Sequence, residues 1–337
     1  MALGSAFAGV FLAAVANAGH SPDAQVLPTL SAASLRPPVC RDAPASQRSA
    51  FWSQALGGPV RTFCETLARA QIRLERSPQG ALELAEKAHA LLPEQAAPLV
   101  LSGRALLRRG EPGRAYERFT ASLQKQDSPF ADPAALREFA VAAGSVGRSA
   151  EAIALYRKLI PRSDFRHDPS FTRLVVLEAA SLLGASGPEG LAEVEVYLTE
   201  IRRGPGAPGL EDLTSALLAL ALERKGDLEQ AKVVAGEIPG PWGLERFLSP
   251  AEAARTERLA LPGDGAEPPE KPVRPLFRVN GPMLADGELH AAIAISAAER
   301  DPALSRMHLQ AYLEGPGKSG PWTSWARARL AALRGGR

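Results

Sequence analysis

A glycine followed five residues later by an alanine, with an apolar-periodic segment ahead of it, recurs at Gly110/Ala115, Gly147/Ala152, Gly187/Ala192 and Gly226/Ala231. An earlier copy, RSPQGALELAEKAHALLP, has Arg76 rather than glycine five residues before Ala81 but keeps Ala81, Ala85 and Ala88 ahead of Pro93. From Ala81 to Ala231 the alanines are 34, 37, 40 and 39 residues apart. Self-similarity at such a period marks stacked supersecondary units, each unable to bury its apolar face alone. Before each glycine stands an apolar-periodic segment: APLVLSGRALLRR, PAALREFAVAAGSV, SFTRLVVLEAASLL and LEDLTSALLALALERK. Apolar residues at i, i+3, i+4 and i+7 make one buried helical stripe. The unit is therefore helix, glycine turn, helix, repeated at least five times.

Helix starts agree with that partition. Ser77-Pro78, Asp132-Pro133, Asp168-Pro169, Ser249-Pro250 and Asp301-Pro302 each place a capping side chain before a proline, which is tolerated at the first helical position. Aromatic residues are 6% of the chain, and Ala and Leu dominate the apolar set, a bias toward helix over strand. The fold class is all-α. Ala115 and its equivalents are expected where two helices cross closely, with Phe119 and Tyr156 filling the groove between hairpins.

These positions resemble the tetratricopeptide repeat (TPR) family. The unit from Ala96 to Asp127 carries Leu99, Gly103 and Leu106, then Ala115 and Phe119. Its neighbours supply Ala81, Ala88 and Pro93 on one side, and Phe139, Ala140, Ala152 and Tyr156 on the other. The match rests mainly on Leu67 to Ile160. Val196 and Ala235 stand where the family prefers an aromatic, and Ser102 and Ser122 also depart from its pattern. The resemblance implies a right-handed superhelical solenoid of antiparallel hairpins whose concave face, lined by first helices, meets a peptide. That face would carry Arg73, Arg104, Arg108 and Arg137, with Val100 and Leu107 between them, suited to an acidic extended peptide. The alternative is that these arginines solvate a helix surface beside Glu117 and Glu138. The lysine and asparagine with which family members clamp a terminal carboxylate are not found there.

The first residues, MALGSAFAGVFLAAVANAGHSP, have an apolar run ending in Ala16-Asn17-Ala18, the layout of a signal peptide cleaved after Ala18. No Lys or Arg precedes the run. The mature chain is thus expected to be exported, periplasmic or extracellular, with no membrane span. In an oxidising compartment Cys40 and Cys64 most simply form a disulfide. The organisation expected is a signal peptide at 1–18, a Pro-containing segment with a short helix at 19–62 and a hairpin array at 63–247. A helix at 248–261, a Pro/Gly-rich linker at 262–281 and a helical pair with a capping helix at 282–337 complete it.

Chemistry is sparse. EGPGKS, Glu314 to Ser319, lacks the first phosphate-loop glycine, since Tyr312 occupies its place, and it follows a helix rather than a strand. His20, His89, His167, His290 and His308 show no metal-ligand spacing, so no metal and no cofactor is expected. No nucleophile has an activating context. A net charge of +2 gives no ground for a nucleic-acid partner. The expected function is a non-catalytic scaffold or adaptor for a protein or peptide. The alternative is a solenoid accessory subunit of an envelope enzyme or secretion assembly.

Overall fold

The computed structural model describes residues 37–41, 51–125, 130, 132–162, 168–206, 209–260 and 281–335. The expected signal peptide, His20, His167 and nearly all of the linker lie outside the described residues. Among those residues every regular element is helical. They are α1 (Pro38–Arg41), α2 (Phe51–Arg73), α3 (Pro78–Leu91), α4 (Ala97–Arg108), α5 (Pro112–Ser122), α6 (Pro133–Ser145), α7 (Ser149–Leu159) and α8 (Pro169–Ser186). They continue with α9 (Leu191–Arg203), α10 (Glu211–Lys225), α11 (Leu228–Gly236), α12 (Pro250–Ala260), α13 (Glu288–Ala297), α14 (Pro302–Glu314) and α15 (Thr323–Gly335).

Helices pack in chain order, α2 on α3, α4 on α5, α6 on α7, α8 on α9 and α10 on α11. Further contacts join α3 to α4, α5 to α6, α7 to α8 and α9 to α10. After α11 the order changes. It is α13, paired with α14, that packs on α10, while α12 lies against α14 and α15 closes on α14. Expecting the first array helix near residue 63 was too late, because α2 begins at Phe51 and runs through Pro59, which is exposed.

All five Ser/Asp-Pro pairs begin helices, at α3, α6, α8, α12 and α14, with Ser77, Asp132, Asp168, Ser249 and Asp301 accepting bonds from first-turn N–H groups. Three glycine turns share one geometry. Gly110, Gly147 and Gly226 have φ of 74°, 79° and 95°, the left-handed region only glycine enters without steric cost. The next N–H reaches back five residues in each, from Glu111 to Leu106, Arg148 to Ala143 and Asp227 to Leu222. This helix-end motif satisfies carbonyls that would otherwise be orphaned.

The Gly187 copy departs from that pattern. A 3-10 turn at Pro188–Gly190 intervenes before α9, and the expected packing residue Ala192 is exposed. Leu191, Val194 and Leu198 turn inward instead, and Val196 is 62% exposed. The close approach belongs to Gly190, where a Cβ would stand 2.7 Å from the Leu183 carbonyl oxygen.

First and second helices of the pairs bury themselves differently. α5 buries only Ala115, Phe119 and Ser122, whereas α4 buries every residue from Pro98 to Arg108. α6, α8, α10 and α13 are likewise interior over most of their length. Gly103 on α4 meets the Phe119 ring directly, since a Cβ there would stand 2.9 Å from it. The Phe119 ring in turn packs on Phe139 of the next pair, with centroids 5.4 Å apart. At the N-terminal end Cys40 and Cys64 are joined, their Cα atoms 5.7 Å apart, which fastens α1 to α2. A loop of 24 residues contributes about 3 kcal/mol on a chain-entropy account.

Candidate functional site

Long polar side chains buried on first helices find their partners on neighbouring helices. On α4, Arg104 grips Glu138 of α6 with both arms, Nε to Oε2 at 2.9 Å and Nη2 to Oε1 at 3.0 Å. Arg108, one turn later, donates to the same carboxylate at 3.1 Å and to Glu75 at 2.6 Å. Asp132 adds a contact to Arg104 at 3.4 Å. From α6, Arg137 forks onto Glu178 of α8 at 2.8 and 2.6 Å. From α8, Arg173 reaches Thr214 of α10 at 3.3 Å and the Ile201 carbonyl at 2.8 Å. From α10, Arg224 forks onto Glu288 of α13 at 2.7 and 2.8 Å.

Arg104, Arg108, Arg137, Glu138, Glu178, Arg224 and Glu288 are all buried. Such pairs contribute little net stability but penalise any mispairing of helices severely. Burial opposes ionisation of Glu138, yet the guanidinium groups of Arg104 and Arg108 outweigh it and hold its carboxyl at about 2. Asp132 is pushed the other way, its burial outweighing Arg104.

This corrects the expectation for an acidic peptide. The forks of Arg104, Arg108 and Arg137 already hold carboxylates of the chain itself. Arg73 is exposed on the last turn of α2 and does not join them. The pairing left a trace in the sequence. Arg137-Glu138 and Glu223-Arg224 are opposite charges within the buried runs of their helices, and buried charges require partners. Those partners lie 34, 41 and 64 residues away, beyond any local pattern.

The inner side chains also hold main chain. Residues 281–287 lie outside regular structure ahead of α13, and every second residue is bonded to a side chain. Arg137 Nη2 donates to the Gly281 carbonyl at 3.1 Å. The Met283 N–H donates to Glu178 at 2.9 Å, that of Ala285 to Ser181 at 2.8 Å, and that of Gly287 to Glu252 of α12 at 3.0 Å. A two-residue period is the period of extended backbone. Met283, Leu284 and Ala285 pack half-buried against the core.

Two histidines without ligand spacing along the chain meet in the fold. His290 on α13 and His308 on α14 are fully buried, with Nδ1 atoms 2.9 Å apart. Nε2 of His308 faces Glu245 at 3.3 Å, in the 3-10 turn Pro241–Phe247. Across the Nδ1–Nδ1 contact one ring donates and the other accepts. Burial, His308 and Arg255 push His290 down to about 3, and burial also lowers His308. Packing of α13 on α14 creates the pair, and a separation of 18 residues gives no hint of it.

Among the described residues there is no group of three or more His, Cys, Asp or Glu able to hold a metal ion. No described helix is long and apolar enough to cross a membrane. A cavity of about 130 Å³ is lined by Glu223, Lys232, Glu299, Arg300 and Arg329. Arg329 pairs with Glu223 and Arg300 caps carbonyls at the end of α11. EGPGKS forms a 3-10 turn at Pro316–Lys318 after α14, as its sequence context implies. No protein-family model, curated protein or solved structure matches this chain.

Proposed function

We propose that this chain is a non-catalytic, exported scaffold resembling the TPR family. In this reading it is a right-handed superhelical solenoid that takes an extended segment of a protein partner on its inner face. One observation carries the reading: side chains of α6, α8 and α12 bond alternate main-chain groups from Gly281 to Gly287. Interior first helices, one-sided second helices and chain-order packing support the solenoid form. The Cys40–Cys64 bridge supports an oxidising compartment.

A photo-crosslinking residue at Ser181, on the α8 wall under Ala285, tests the reading against one at Val196, which is exposed on α9. The expected outcome in cells is a protein adduct from position 181 and none from 196. Adducts from position 196 alone, or from neither, would overturn it. Intact mass of the exported chain should place its first residue at Gly19.

A further inference from the structure

We infer that residues 281–287 are an exchangeable internal occupant of the inner groove, and that an extended peptide with an apolar, uncharged central pair displaces them. The inference rests on the peptide-docking reading above and adds to it the regulation of the groove and the chemistry of its partner.

The strap is held in a way that many sequences could reproduce. Its four bonds join main-chain groups to the side chains of Arg137, Glu178, Ser181 and Glu252. They read backbone, as a sheet edge does, and side chains contribute only through fit. Met283 and Leu284 are half-buried rather than seated in deep pockets. The one side-chain latch is Asp286 on Arg255, at 2.8 and 2.9 Å, with the Asp286 side chain 54% exposed. Exposed pairs of this kind are weak and screened by salt.

Charge selects the partner. To the strap's main chain the wall offers one donor, Arg137, and three acceptors, of which Glu178 and Glu252 are carboxylates. Arg137 is itself neutralised by Glu178. Around Met283 and Leu284 such a wall welcomes free N–H groups and repels carboxylates, whereas Arg255 takes the one carboxylate at Asp286. The length it reads is seven residues, Gly281 to Gly287, and its centre is Met283-Leu284.

A fluorescent peptide of sequence GPMLADG, added to the full chain, tests the proposal. Met283→Pro with Ala285→Pro removes two of the strap's donors and should free the groove. A strap seated about nine-tenths of the time weakens apparent affinity about tenfold. The double variant should therefore bind the peptide about tenfold more tightly than the unaltered chain. A peptide with Asp at both central positions should not bind. Equal binding by the two proteins, or none by a variant that keeps its helix content, overturns the proposal.

Hydrogen exchange on the unaltered chain covers a variant that fails to fold. The Met283 and Ala285 amides should exchange by local opening, far faster than the amides of α13. Exchange only with global unfolding means that the strap never leaves, and the proposal fails. Both measurements use only the chain's own sequence. They can fail while crosslinking still finds a partner, and crosslinking can fail while they succeed.

Discussion

Gly103 shows how much one missing Cβ decides. It sits mid-helix, where Ala would ordinarily be favoured by about 1 kcal/mol. The Phe119 ring fills the space that Cβ needs, and Phe119 is fully buried between Gly103 and Phe139. Overpacking of this kind costs about 1–3 kcal/mol, so Gly103→Ala should lower stability. Gly113→Ala, whose Cβ meets nothing nearer than 4.0 Å, should not. Urea denaturation of the two variants provides the comparison. Gly103 and Phe119 could be found from sequence because their spacing repeats. Arg104, the next residue along, could be placed on its helix but not paired, since Glu138 belongs to the next hairpin.

Helix ends were the most legible elements. A Ser or Asp before Pro, and a glycine after an apolar run, act through backbone groups only a few residues away. Register within a helix is less local. At α9 the inserted 3-10 turn moves the buried stripe to Leu191, Val194 and Leu198, which a fixed glycine-to-alanine spacing does not anticipate. The C-terminal closure is an element-scale feature too. Trp322 donates its Nε1–H to the Gly184 carbonyl of α8 at 2.7 Å, and Arg224 lies 4.8 Å over its ring. Trp322→Ala should cost about 3–5 kcal/mol. In hydrogen exchange, α14 and α15 should lose protection well before α4 and α6. Uniform loss along the chain would contradict a closure that acts locally.

Across the whole molecule, buried ionisable groups make stability depend on pH in a definite direction. His290 and His308 stay neutral in the fold, while the unfolded chain takes up protons below its ordinary histidine value of 6.5. Stability from this source is complete above that pH and falls as the medium is acidified toward 3. The slope is about 1.4 kcal/mol per pH unit for each proton. Arg255 and Glu252 on α12, and Glu245 in its 3-10 turn, face the pair. Glu138 adds a second, lower window, lost as pH falls from its ordinary 4.5 toward 2. Urea midpoints should therefore drop between about pH 6.5 and 5. His290→Leu with His308→Leu should flatten most of that drop, leaving the share of His89, which is also lowered. An unchanged slope in the double variant would show that the imidazole pair is not its source.

The sequence by itself determined the helices, their caps, their glycine turns and the small residues at close crossings. All of these follow from interactions between residues within a few positions or from a repeated spacing. Only the tertiary structure decided which charges meet, that α13 rather than α12 follows α10, that His290 faces His308, and that residues 281–287 lie against side chains of α6, α8 and α12. Those contacts join positions 18 to 144 residues apart. Their partners are chosen by geometry in space and leave no period along the chain.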